Sequence, residues 1–155
     1  MKRLFYLLAA AAFTACGSAT TLSVMTFNMR YDNPEDGADN WRFRRGRVAE
    51  VIASHGVDVF GTQELLANQL GDLKRLLPGY AAVGVGREDG AEAGEFSAVF
   101  YRRDRFTPLE SGTFWLSETP DVAGSKGWDG ACERVATWVV LHDREGGREF
   151  LFVNT

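Results

Sequence analysis

The stretch V-D-V-F-G-T-Q-E, Val57 to Glu64, decides how the rest of the chain is read. Its apolar residues have the composition of a buried strand, a glycine breaks the run, and Gln63-Glu64 follow at once. A core strand that delivers a carboxylate at its tip matches the edge where α/β sheets place their ligands. On the N-terminal side, Trp41 to Ser54 predicts a helix stopped by Gly56. Val48, Val51 and Ile52 share one side of it, while Arg42, Arg44, Arg45 and Arg47 are spread round the rest and predict a solvated face. Before it, T-T-L-S-V-M-T-F-N-M-R predicts a strand with Leu22, Val24, Thr26 and Asn28 on one face, and Asp32 to Asn40 reads as a loop. On the C-terminal side, Leu66, Leu70, Leu73 and Leu77 recur at helical spacing until Pro78-Gly79. Strands are then predicted over Tyr80 to Val85, Phe96 to Tyr101, Phe106 to Phe114, Val135 to His142 and Glu149 to Asn154, with a long loop from Leu116 to Glu133. Two helix-strand units followed by hairpins predict a mixed α/β chain with helices outside packed sheets.

At 155 residues the chain has the length of one domain, and its 45% hydrophobic content excludes a disordered class. It carries 17 basic against 21 acidic side chains; without Lys2 and Arg3 the basic count falls to 15. That balance lacks the electrostatic footprint of non-specific nucleic-acid binding. With Cys16 and Cys132 as the two cysteines and His55 and His142 as the two histidines, no zinc-ligand spacing exists.

The N-terminus, M-K-R-L-F-Y-L-L-A-A-A-A-F-T-A-C, has two positive charges, a short apolar run and then small residues, the pattern of a secretory signal over residues 1–19. F-T-A-C-G-S resembles a bacterial lipoprotein box in which Cys16 becomes the lipidated first residue; cleavage after Ala19 competes with it. Both readings predict export from a bacterial cell, to the periplasm, the outer membrane as a lipoprotein, or the exterior. Residues 20–155 then form the folded part, and any membrane association is through the lipid anchor. Cys132 is left without a disulfide partner, so the core must be built by packing alone.

For chemistry, Glu64 and Asn28 both fall at the C-terminal ends of predicted strands. A lone Glu with an amide nearby and substrate phosphate oxygens suits magnesium, which keeps several waters and takes one or two carboxylates. The alternative is a Glu that flanks the second helix and an Asn that satisfies a turn. Gly84 to Ser97, G-V-G-R-E-D-G-A-E-A-G-E-F-S, lacks the lysine of a phosphate-cradling loop and reads as a hairpin over a cleft rim. Trp115, Trp128 and Trp138 stand either in core and rim packing or against a ligand ring.

Four motifs in register carry a resemblance. M-T-F-N-M-R at Met25 to Arg30, G-T-Q-E at Gly61 to Glu64, G-W-D-G-A-C-E-R-V-A-T-W at Gly127 to Trp138 and F-V-N-T at Phe152 to Thr155 resemble the endonuclease/exonuclease/phosphatase superfamily, in a secreted bacterial branch. The resemblance implies the N-terminal portion of a four-layer α/β sandwich, two packed mixed β-sheets flanked by helices. It implies a divalent-metal-dependent phosphoester hydrolase of nuclease or phosphatase type, using Mg2+ or Mn2+, monomeric when complete. The resemblance leaves the substrate open between a nucleic acid, a phospholipid head group and a sugar phosphate. Glu64 would be the main metal ligand, with Asn28 orienting the metal site and the phosphate. Arg134 would lie at the scissile phosphate, against the competing reading of an ion pair with Glu133 or Asp129. Arg30, which follows Asn28, is either a second phosphate contact or a surface arginine. Asn154 would sit beside the catalytic centre. The family's later motifs, with their water-positioning Asp and Asn and a final Asp-His pair, have no counterpart here, and E-F-L-F-V-N-T stops as a strand. The expectation is therefore an incomplete, inactive piece of a larger enzyme. The rival expectation is an exported non-catalytic module that binds glycan or a partner through its loop tryptophans.

Overall fold

A computed structural model describes residues 20–155; the signal-peptide and Cys16 readings lie outside them. Seven strands and two helices follow in the order β1 (Val24–Asn28), α1 (Trp41–Ser54), β2 (Val59–Gln63), α2 (Ala67–Leu76), β3 (Tyr80–Val83), β4 (Val99–Arg102), β5 (Phe106–Trp115), β6 (Val135–Asp143) and β7 (Arg148–Asn154). They build two sheets, one ordered β1-β2-β4-β3 and one ordered β5-β6-β7. β1 and β2 run parallel with α1 as the crossover, and every other pairing is antiparallel.

The alternating side chains of β2 explain the layering. Phe60 faces α1 and α2 and stacks on Phe100 of β4 with ring centroids 4.7 Å apart. Ile52 of α1 and Leu73 of α2, both fully buried, close that apolar layer. Val59 points the other way, into a second core where Val99 and Tyr101 meet Phe106, Val139 and Leu141 of the second sheet. The described residues thus form helices, sheet and sheet, three of the four layers of an α/β sandwich. β1 is an edge strand, so the face carrying Val24 and Thr26 is exposed, while Met25 and Phe27 pack against the helical core. Asn40 caps α1 by accepting from Arg42 N at 3.2 Å, which fixes the helix start where the sequence places it.

Two expectations need correction. Pro34–Asp39, read as loop, winds into a short 3-10 segment capped by Asn33. The arginines of α1 are not a uniformly solvated face. Arg44 donates to the carbonyls of Met29, Arg30 and Asp39, and Arg45 pairs with Asp72 of α2 at 3.0 Å. A guanidinium carries enough donors to satisfy several loop carbonyls at once, so Arg44 locks the connection that leaves β1.

The far ends of the strands are tied by a buried cluster. Arg105, just before β5, donates to Asp143 at 3.1 and 2.8 Å, to Asp58 at 2.8 Å and to the Thr21 carbonyl at 3.0 Å. It joins the start of β2 to the end of β6, and so one sheet to the other.

Candidate functional site

The parallel register places Asn28 opposite Gln63, so the residues that follow β1 and β2 leave the sheet at one edge. Glu64 turns there in the left-handed region, at φ 56°. Asn28 Nδ2 donates to Glu64 Oε1 at 3.0 Å, and Tyr31 N donates to Oε2 at 3.3 Å. Asn28 Oδ1 accepts from Arg30 N at 2.8 Å, so its amide presents an N–H to the carboxylate and holds it in place. Each carboxylate oxygen accepts one such bond, and Glu64 lines a pocket of about 320 Å³.

The opposite wall comes from the start of β6 and from the hairpin between β3 and β4. Arg134, Glu133, Arg87 and Glu95 line the pocket with Glu64. Glu95 pairs with Arg87 at 2.8 Å and Glu133 with Lys126 at 3.7 Å. Glu64 and Arg134 make no ion pair among the described residues; the expected alternative for Arg134, a bond to Glu133 or Asp129, is not formed. An unpaired acid and an unpaired guanidinium therefore share one cavity. Among the described residues no three His, Cys, Asp or Glu side chains cluster as a metal cage. One oriented carboxylate is a donor set for a hard cation that keeps most of its water.

Asn154 sits directly behind the pocket, buried. Its Nδ2 donates to the carbonyls of Thr62 at 2.8 Å and Ala98 at 3.1 Å, and its Oδ1 accepts from Gln63 Nε2 at 2.7 Å. It fastens β7 to β2 at the pocket floor. Gly61 makes room for it: a Cβ there would stand 2.5 Å from Asn154 Cγ and overlap Oδ1. Arg30 is placed differently from the other candidates. Its guanidinium lies outside this pocket, against Asp36 at 3.1 and 2.9 Å, and holds that carboxyl below its ordinary range.

Neither histidine lines the pocket. His55 closes α1, and His142 of β6 faces Glu149 at 3.8 Å. Trp115 is buried with its Nε1 donating to the Arg87 carbonyl at 2.6 Å. Trp138 covers Gly112 in the second sheet, and Trp128 is 74% exposed. The sequence reading missed Gln63, Arg87 and Glu95. Gln63 lay inside a quoted motif, and the signal for the other two was an Arg and a Glu at facing positions of a glycine-rich hairpin.

A family model described as the endonuclease/exonuclease/phosphatase family matches residues 25–152. No curated protein matches the sequence. Among solved structures, an endonuclease/exonuclease/phosphatase from Bacteroides vulgatus is 48% identical with a TM-score of 0.86, over 88% of this chain and 52% of that one. A mannosyl-6-phosphatase from Bacteroides thetaiotaomicron is 47% identical with a TM-score of 0.83, over 86% and 50%. The catalytic domain of human nocturnin, with bound sulfate, shares the fold at 19% identity and a TM-score of 0.64, over 85% and 48%. The chain spans about half the length of the structures it matches.

Proposed function

Because the chain belongs to the endonuclease/exonuclease/phosphatase family, we propose that it carries the cation-binding and phosphate-binding half of a divalent-metal-dependent phosphoester hydrolase. The observation that carries this reading is the pairing of Glu64 and Arg134, each lacking an opposite charge, in one pocket. Glu64 would hold Mg2+ or Mn2+, with Asn28 and the Tyr31 N–H fixing the carboxylate. Bound there, the cation supplies Lewis-acid stabilisation of charge on phosphate oxygens. Arg134 offers the planar fork that matches two phosphate oxygens. Asn154 acts one layer back, as a positioning residue that holds Gln63 and the end of β2. Among the described residues the pocket contains no histidine for proton transfer, so these side chains bind and orient.

A phosphomonoester is favoured over nucleic acid. The chain is acidic, at −4, and the pocket wall holds one unpaired guanidinium rather than a basic track. The similarity to a sugar phosphatase supports the same preference.

The test measures metal binding and hydrolysis together. Calorimetric titration with MnCl2 is expected to register a site that Glu64→Gln abolishes and Asn28→Ala weakens by about 10- to 100-fold, as expected for a residue that orients a metal ligand. Phosphatase and phosphodiesterase activity, assayed on the full-length protein, should vanish with chelator. Unchanged cation binding in Glu64→Gln would overturn the assignment.

A further inference from the structure

Arg87 and Glu95 stand in the pocket wall yet take no part in the chemistry above. Their backbones face each other in the β3–β4 hairpin, Arg87 N donating to the Glu95 carbonyl at 3.1 Å. The hairpin is fixed from both sides. Phe96 N donates to the Leu65 carbonyl, next to Glu64, at 2.7 Å, and Trp115 Nε1 donates to the Arg87 carbonyl. Gly94, at φ 80°, allows the turn: a Cβ there would come within 2.7 Å of the Glu88 side chain. The backbone that carries both side chains is therefore tied to the segment that carries Glu64.

The ion pair is joined at a single point, Nη1 to Oε2. Arg87 Nε is buried without a partner. Nη2 of Arg87 and Oε1 of Glu95 bond to no described residue and are not enclosed. The wall thus presents a donor beside an acceptor, with no net charge. A second phosphate would meet the Glu95 carboxylate and be repelled. An alcohol both accepts and donates, so adjacent hydroxyls satisfy the pair without an uncompensated charge.

We propose that Arg87 and Glu95 form the leaving-group subsite, which selects a neutral polyhydroxylated group, such as a sugar, on the phosphomonoester whose phosphate is held at Glu64 and Arg134. The assignment rests on the phosphate reading of those two residues. A subsite built to hydrogen-bond hydroxyls discriminates strongly against ligands that lack them, because its own polar groups are left unpaired.

The test compares binding of glucose 6-phosphate with that of phenyl phosphate, which has no hydroxyls on its leaving group, by calorimetry on the full chain with MgCl2. Glucose 6-phosphate is expected to bind more tightly, and Glu95→Gln and Arg87→Met should each shrink that preference by about 10- to 100-fold. Phenyl phosphate serves as the check that each variant is folded. A preference that survives both substitutions overturns the subsite, as does tighter binding of a dinucleotide or no binding of glucose 6-phosphate at all. Failure of the phosphate reading has a different signature: Glu64→Gln and Arg134→Met would leave both affinities intact while Glu95 still governed the preference.

Discussion

Glu64 holds its carboxylate in the pocket from a left-handed backbone conformation that costs a residue with a Cβ roughly 1–2 kcal/mol. A loop with freedom to relax would place glycine there. The strain is retained with the carboxylate, as at other sites where backbone cost accompanies function. Glu64→Gly should therefore be more stable than Glu64→Ala by about 1 kcal/mol, since both lose the carboxylate and only glycine relieves the backbone. Equal urea midpoints for the two variants would contradict this. The acid itself was legible, because it ends a run of apolar strand residues. Its backbone conformation was not, since nothing local in G-T-Q-E requires it. Arg30 carries a contact that its place beside Asn28 did not announce: its guanidinium pairs with Asp36, six positions on. Local sequence cannot rank a substrate against a nearby carboxylate.

At the scale of elements, α1 has the limits read from its residues, because an apolar side and a glycine stop are both local signals. β6 and β7 were also legible, each to within one residue of its observed bounds. β4 starts at Val99 rather than Phe96, because Phe96 is drawn into bridges with Leu65 and Gly86, contacts no alternation pattern contains. The Arg105 cluster was invisible for the same reason, its partners lying 38 and 47 positions away. Its consequence is a dependence on acidity. Arg105 holds the Asp143 carboxyl at about 2, below its ordinary 3.8. A carboxyl depressed on folding stabilises the protein above its unfolded value, and that stabilisation is lost as pH falls through the folded one. Between about pH 5 and pH 2 the chain should lose about 2 kcal/mol through this group. Asp143→Asn should be less stable at neutral pH and show a shallower decline in acid. An identical slope for both proteins in urea titrations across that range would refute the role of the cluster.

For the molecule as a whole, the resemblance anticipated packed sheets flanked by helices, and composition alone could not have distinguished that from other mixed α/β arrangements. The helices cover one outer face. The other, on the three-stranded sheet, presents Leu109, Leu151 and Val153, which are 47%, 60% and 49% exposed. Apolar surface of that kind associates in water. Leu151→Glu with Val153→Thr should shift the chain toward monomer in sedimentation runs while changing stability by no more than about 0.5 kcal/mol; unaltered sedimentation would show that this face is not what drives association. The buried amide of Asn154 has a temporal consequence as well. Its partners Ala98, Gln63 and Thr62 were made 56, 91 and 92 residues earlier. On a ribosome the floor of this cavity is thus supplied long after the Glu64 side of it, and until β7 emerges the nascent polypeptide lacks the amide that braces Gln63 and the end of β2.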